Sequence, residues 1–174
     1  MKKIGFTIYV MGLSGCGKTT FAKKIHNYLN KKKINTVEVS GDDIRDIFNL
    51  KKFDIKSRIK CLFKYSKLCM FLNNRGINVV ISTSGFNKNV REWNRNNLKK
   101  YYEIYIESDF KKNQIHSKKL FLKNKKNLWG YDLKPQIPKK SDLVILNNFD
   151  NNTNKTFDKF TIATYKKIKL LRFL

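Results

Sequence analysis

Acidic residues are scarce in this chain of 174: 13 Asp and Glu stand against 38 Lys and Arg, a formal charge of +25. So basic a surface attracts nucleotides, RNA and acidic membranes alike, and by itself selects none of them. Arginine is scarce too, since all but six of the basic residues are lysine, and the lysines are spread through every segment among abundant Asn and Ile. Nucleic-acid readers favour arginine for bidentate contacts, so the charge reads as partly compositional and no stable nucleic-acid partner is expected. No apolar run approaches the length of a membrane span, and no secretory apolar region is present. The three cysteines, Cys16, Cys61 and Cys69, have no C-x-x-C spacing. These absences predict reduced thiols in a cytoplasmic protein with no membrane association. No internal repeat is found.

What the chain does have is a globular composition, 41% hydrophobic and 13% aromatic, and one dense motif. Its length suits a single α/β domain with a full core and is too short for two. Gly12-Leu13-Ser14-Gly15-Cys16-Gly17-Lys18-Thr19 is a complete G-x-x-x-x-G-K-[ST] match, continued by Thr20. Before it lies the continuous apolar run 4–11, expected of a central strand covered on both faces. After it, Phe21, Ala22, Ile25, Tyr28 and Leu29 recur at helical spacing. A phosphate-binding loop needs that setting, because glycines let the backbone curl into a nest of inward N–H groups and the helix adds its positive end. The candidate polyphosphate-binding residues are Gly12, Ser14, Gly15, Cys16, Gly17, Lys18, Thr19 and Thr20. Lys18 supplies a point charge for the β- and γ-phosphates, and the Thr19 hydroxyl can ligate magnesium. The bland alternative is a glycine-rich turn, for which an intact Lys18-Thr19 pair has no purpose.

Further strand signals at 35–39, 76–83, 102–107 and 141–146 alternate with helical patterns at 55–74, at 89–98 and from Asp109 to about residue 123. The alternation predicts an α/β fold, a mostly parallel five-stranded sheet with helices on both faces. Residues 1–150 make the domain, and 151–174, past a polar linker at 147–154, form a C-terminal helical extension of it. Both prolines, Pro135 and Pro138, fall in the lysine-rich segment 124–140, which also holds Trp129-Gly130-Tyr131-Asp132. That segment reads as a mobile loop and a candidate lid. Directly after the second strand comes Ser40-Gly41-Asp42-Asp43-Ile44-Arg45. In a doubly wound sheet this edge lies beside the phosphate loop, so Asp42 or Asp43 is a candidate base. An Asp capping a helix is the alternative that needs no chemistry.

Taken together, the loop 12–20, the Ser40-Gly41-Asp42-Asp43-Ile44-Arg45 turn, Phe53 with Arg58 behind it, and Trp129-Gly130-Tyr131-Asp132 running into Asp142-Leu143-Val144-Ile145 resemble the adenylylsulfate kinase family. The resemblance spans about residues 5–148. It implies a P-loop kinase fold, ATP and Mg2+ as cofactors, a homodimer, and transfer of the γ-phosphoryl group of ATP to the 3′-hydroxyl of adenosine 5′-phosphosulfate. It also implies a base-like role for Asp42, an acceptor-contacting role for Arg45, and an aromatic and an arginine, Phe53 and Arg58, that hold the acceptor nucleotide. Phosphoryl transfer is mainly positioning and charge neutralisation, so these assignments make chemical sense. Lys18 and Asp42 are the candidate catalytic pair. Asp42, Arg45, Phe53, Arg58 and Trp129 are the candidate acceptor site, with Phe53 or Trp129 either stacking on a base or packing in the core.

The chain also departs from the family pattern, in its first three differences around the acceptor pocket. Where the family shows L-D-G-D-N, this chain has Val39-Ser40-Gly41-Asp42-Asp43; where it shows I-S-P-Y-R, the chain has Ser84-Gly85-Phe86-Asn87-Lys88. Cys61 replaces an asparagine, and F-T-G-I becomes Leu128-Trp129-Gly130-Tyr131. A branch of the family phosphorylates cytidine diphosphoramidate on a route to capsular polysaccharide, and its acceptor has the same logic of a free 3′-hydroxyl and a 5′ anhydride. Altered pocket residues beside an unaltered donor loop favour that acceptor; adenylylsulfate is the alternative. A basic RNA-binding or RNA-end kinase protein is the reading from another class, and the chain lacks the aromatic and basic signatures of RNA modules.

Overall fold

The computed structural model describes residues 3–117 and 127–174. Its five strands are β1 (Thr7–Gly12), β2 (Thr36–Ser40), β3 (Asn78–Thr83), β4 (Tyr101–Glu107) and β5 (Leu143–Leu146). All pair in parallel, in the order β2-β3-β1-β4-β5. The described helices are α1 (Lys18–Lys31), α2 (Gly41–Ile47), α3 (Ile55–Asn73), α4 (Lys88–Asn97), α5 (Phe110–His116) and α6 (Thr153–Leu170). The expected α5 pattern beyond residue 117, and residues 124–126 of the expected lid, lie outside the described residues.

The apolar run of β1 is continuous because both sheet faces are covered. Phe6, Ile8 and Val10 join Phe21, Ala22, Ile25 and Leu29 of α1 and Phe157 and Ile168 of α6. Tyr9 and Met11 turn the other way, onto Cys61, Leu62, Tyr65 and Cys69 of α3 and Val90 of α4. Alternate residues of one strand thus serve two cores. α6 belongs to this layer as fully as α1 does, since Phe157 is buried against Phe21 with ring centroids 5.1 Å apart. Burying a phenyl ring of this kind contributes about 1.5–3 kcal/mol.

The turn expected at 40–45 is a helix. Ser40 caps it, its hydroxyl accepting from the Asp43 N–H at 3.1 Å while the Asp43 carboxylate accepts from the Ser40 N–H at 3.0 Å. That reciprocal box satisfies two N–H groups at the start of a helix too short to nucleate alone. Among the described residues no helix is long and apolar enough to cross a membrane.

Candidate functional site

In an all-parallel sheet the carboxyl ends of the strands share one edge, and β1, placed between β3 and β4, delivers its loop to the middle of it. Gly12 ends β1 where a Cβ would stand 2.6 Å from the Ile106 carbonyl oxygen and 2.5 Å from Cys16 Sγ, so only glycine fits. Gly17 starts α1 with φ 91°, in the left-handed region. α1 makes its first backbone hydrogen bond from the Phe21 N–H to the Gly17 carbonyl, which leaves the N–H groups of Lys18, Thr19 and Thr20 outside the helical ladder. No acidic residue occupies its first turn, so nothing local offsets the positive helix end. Lys18 folds back on the loop, Nζ donating to the Leu13 carbonyl at 2.7 Å.

A cavity of about 750 Å³ opens over this loop. Ser14, Gly15, Gly17, Lys18, Thr19 and Thr20 line it together with Asp42, Arg45, Phe53, Arg58 and Trp129. The sequence candidates therefore converge on one space, with two exceptions. Gly12 and Cys16 do not line it; Cys16 is fully buried, its thiol pushed up in pKa by that burial, and its carbonyl accepts from Asn147 Nδ2 at 3.0 Å.

The two adjacent aspartates part company. Asp43 is committed to the cap, while Asp42, exposed on the first turn of α2, faces the cavity. Thr19 Oγ1 lies 3.5 Å from the buried Ser82 hydroxyl at the end of β3. A hydroxyl and a carboxylate are hard oxygen donors of the kind magnesium takes alongside water and phosphate. Among the described residues no group of three or more His, Cys, Asp or Glu that could hold a metal ion occurs.

The outer wall is built from side chains. Arg45 donates through Nη1 to the carbonyls of Leu50 (2.7 Å) and Lys52 (3.0 Å), folding the segment between α2 and α3 onto itself. Arg58, on α3, donates Nε–H to the Phe53 carbonyl at 2.7 Å and Nη2 to the Asn127 carbonyl. Both guanidinium groups lie on the Phe53 ring, at 4.3 and 5.3 Å from its centroid, and Arg58 also stands 5.8 Å from the Trp129 ring. Neither arginine forms an ion pair among the described residues. Burial and then the neighbouring Arg45 charge lower the Arg58 pKa.

The two aromatic candidates differ in exposure. Trp129, borne on a loop, is 5% exposed and packs edge-on against Phe86 at 5.9 Å, so it is a wall held in the core. Asp132 fixes it there by accepting the N–H groups of Asn127 and Leu128. Phe53 is 41% exposed.

Sequence reading missed the segment past β5. Asn147 is buried, and its Oδ1 accepts from the Phe149 N–H and the Thr153 hydroxyl while its amide holds the phosphate loop. Phe149 stacks on His116 with centroids 4.5 Å apart and planes 11° off parallel, and both line the cavity, as does Phe157 of α6. The supposed linker is therefore part of the site. Its position just past a parallel strand was the signal available, because every such segment meets the ligand edge.

Residues 4–146 match the sequence model of the family described as Adenylylsulphate kinase. A cytidine diphosphoramidate kinase from Campylobacter jejuni is 36% identical over 157 residues, covering 87% of this chain and 92% of that protein. An adenylyl-sulfate kinase from Gloeothece citriformis is 26% identical over 179 residues, covering 95% and 99%. Among solved structures, the Mycobacterium tuberculosis APS kinase in complex with AMPPNP and APS superposes with a TM-score of 0.84 at 21% identity, covering 96% of this chain and 99% of that one.

Proposed function

We propose, from the premise that the chain belongs to the adenylylsulphate kinase family and is an ATP-dependent phosphotransferase, that its acceptor is the 3′-hydroxyl of a nucleoside 5′-anhydride. The observation that carries the reading is that Asp42, Arg45 and Arg58 line one cavity with the phosphate-loop residues, neither arginine forming an ion pair among the described residues. The N–H groups opening α1 and the Lys18 ammonium hold the donor's phosphates, and Lys18 leaves the Leu13 carbonyl to reach them. The stacked His116 and Phe149 rings offer the donor base a flat surface. Asp42 orients the sugar hydroxyl and takes its proton; Arg45 and Arg58 bind the anionic bridge of the acceptor. Magnesium would be held by the Thr19 hydroxyl and would supply charge neutralisation for the transferring phosphoryl group.

Cytidine diphosphoramidate is the acceptor we favour. The Campylobacter relative of that name covers most of both chains, and departures from the family pattern at Ser40, Cys61, Ser84 and Trp129 line the cavity. The test scores a panel of nucleotides by ADP release and then locates the new phosphate. Turnover with cytidine diphosphoramidate well above that with adenylylsulfate is expected; the reverse order makes the chain an adenylylsulfate kinase, and ADP release indifferent to every acceptor overturns the reading. Asp42→Asn should lower kcat roughly 10²–10⁴-fold with donor binding unchanged, as removal of a general base does.

A further inference from the structure

Phe53 is placed to stack on an acceptor base, yet its ring already carries two guanidinium groups. A ring has two faces, and a group 4.3 Å from the centroid occupies one of them; a base at stacking distance there must replace the arginine. The same two arginines, both half-buried, form no ion pair among the described residues; the Asp132 and Asp42 charges favour the Arg58 cation, while the neighbouring Arg45 charge opposes it. An anion between them relieves that repulsion and draws both guanidinium planes towards itself, since a charge-assisted bidentate contact is stronger than a cation–π contact at a partly exposed site.

We infer that Arg45 and Arg58 are parked on Phe53 until an anionic group takes them, so that binding of the acceptor's 5′ anhydride opens the ring face on which its base stacks. The device makes the anhydride a condition for reading the base. A free nucleoside is then rejected twice, by the contacts it lacks and by the ring it cannot uncover. Phe53 is in this sense a specificity-determining residue that acts through the arginines. The inference rests on the acceptor site assigned above.

Coupling of this kind is reciprocal between the two ligands. With the phosphate loop saturated by a non-hydrolysable ATP analogue, inorganic pyrophosphate and cytidine are titrated calorimetrically, alone and together. Each should tighten the other by the same factor, about five-fold or more, the lower end of ordinary allosteric couplings. In Phe53→Leu, pyrophosphate alone should bind more tightly than to the parent and the coupling should fall below about two-fold. In a Trp93→Phe background, where Trp129 is the one indole left, pyrophosphate alone should change the emission as Arg58 moves off it. Independent binding in the parent protein, weaker pyrophosphate binding to Phe53→Leu, or unchanged Trp129 emission overturns the inference while leaving the acceptor site standing. Failure of both probes to bind overturns the acceptor site as well.

Discussion

Around Gly17 the cavity wall is main chain, with its conformation set by the φ of one residue and the start of one helix; around Phe53 it is side chain, contributed by α2, α3 and two loops. The first kind of wall binds whatever carries phosphates in the right spacing, because N–H groups recognise charge and geometry only. The second kind can be altered one residue at a time without disturbing the fold, since Phe53 and Asp42 are exposed and Arg45 and Arg58 half-buried. A family that keeps one donor and varies its acceptor would be built on this division. The lesson is that the donor half and the acceptor half should fail differently when mutated.

After Asp42→Asn, the largest effect tests the donor half. Lys18→Ala removes the side-chain cation on the transferring phosphates and should reduce kcat roughly 10²–10³-fold, by the same factor for every acceptor, as loss of a transition-state donor does. A factor that differed between cytidine and adenosine acceptors would erase the division, and steady-state kinetics with both would show it.

Arg58→Ala probes the acceptor half. It should raise the acceptor KM roughly 10–100-fold, the value of one or two charge-assisted hydrogen bonds, and leave the KM for ATP within a factor of about two. Equal changes in both would mean that Arg58 holds the whole cavity together through Asn127.

Asp43→Ala has the smallest effect and sharpens the contrast between neighbours. Loss of the capping box should cost about 1 kcal/mol in chemical denaturation, with kcat close to that of the parent, whereas Asp42→Asn should spare stability and remove turnover. A reversal of these two outcomes would exchange the roles assigned to the pair.

The phosphate loop was legible because its requirements are local: a strand, three glycines at fixed spacing, Lys18 and Thr19, and a helix all lie within one stretch of chain. The choice between Asp42 and Asp43 was not, since both follow β2 and only the cap hydrogen bonds to Ser40 separate them. Trp129 read as a loop residue because its neighbours are Gly130 and lysines, and nothing local announces that Phe86, from after β3, stands behind it. Asn147 was read as linker and Phe157 only as part of a C-terminal helix for the same reason, their partners Cys16 and Gly17 being some 130 to 140 positions away along the chain.

By itself the sequence determined the alternation of strand and helix, the two-faced burial of β1 and the glycine loop between β1 and α1, all of which follow from hydrophobic period and backbone stereochemistry within a few residues. Only the tertiary structure decided which aspartate is free, which aromatic is wall and which is surface, and that the segment after β5 closes the site, because each depends on a packing partner from a distant segment.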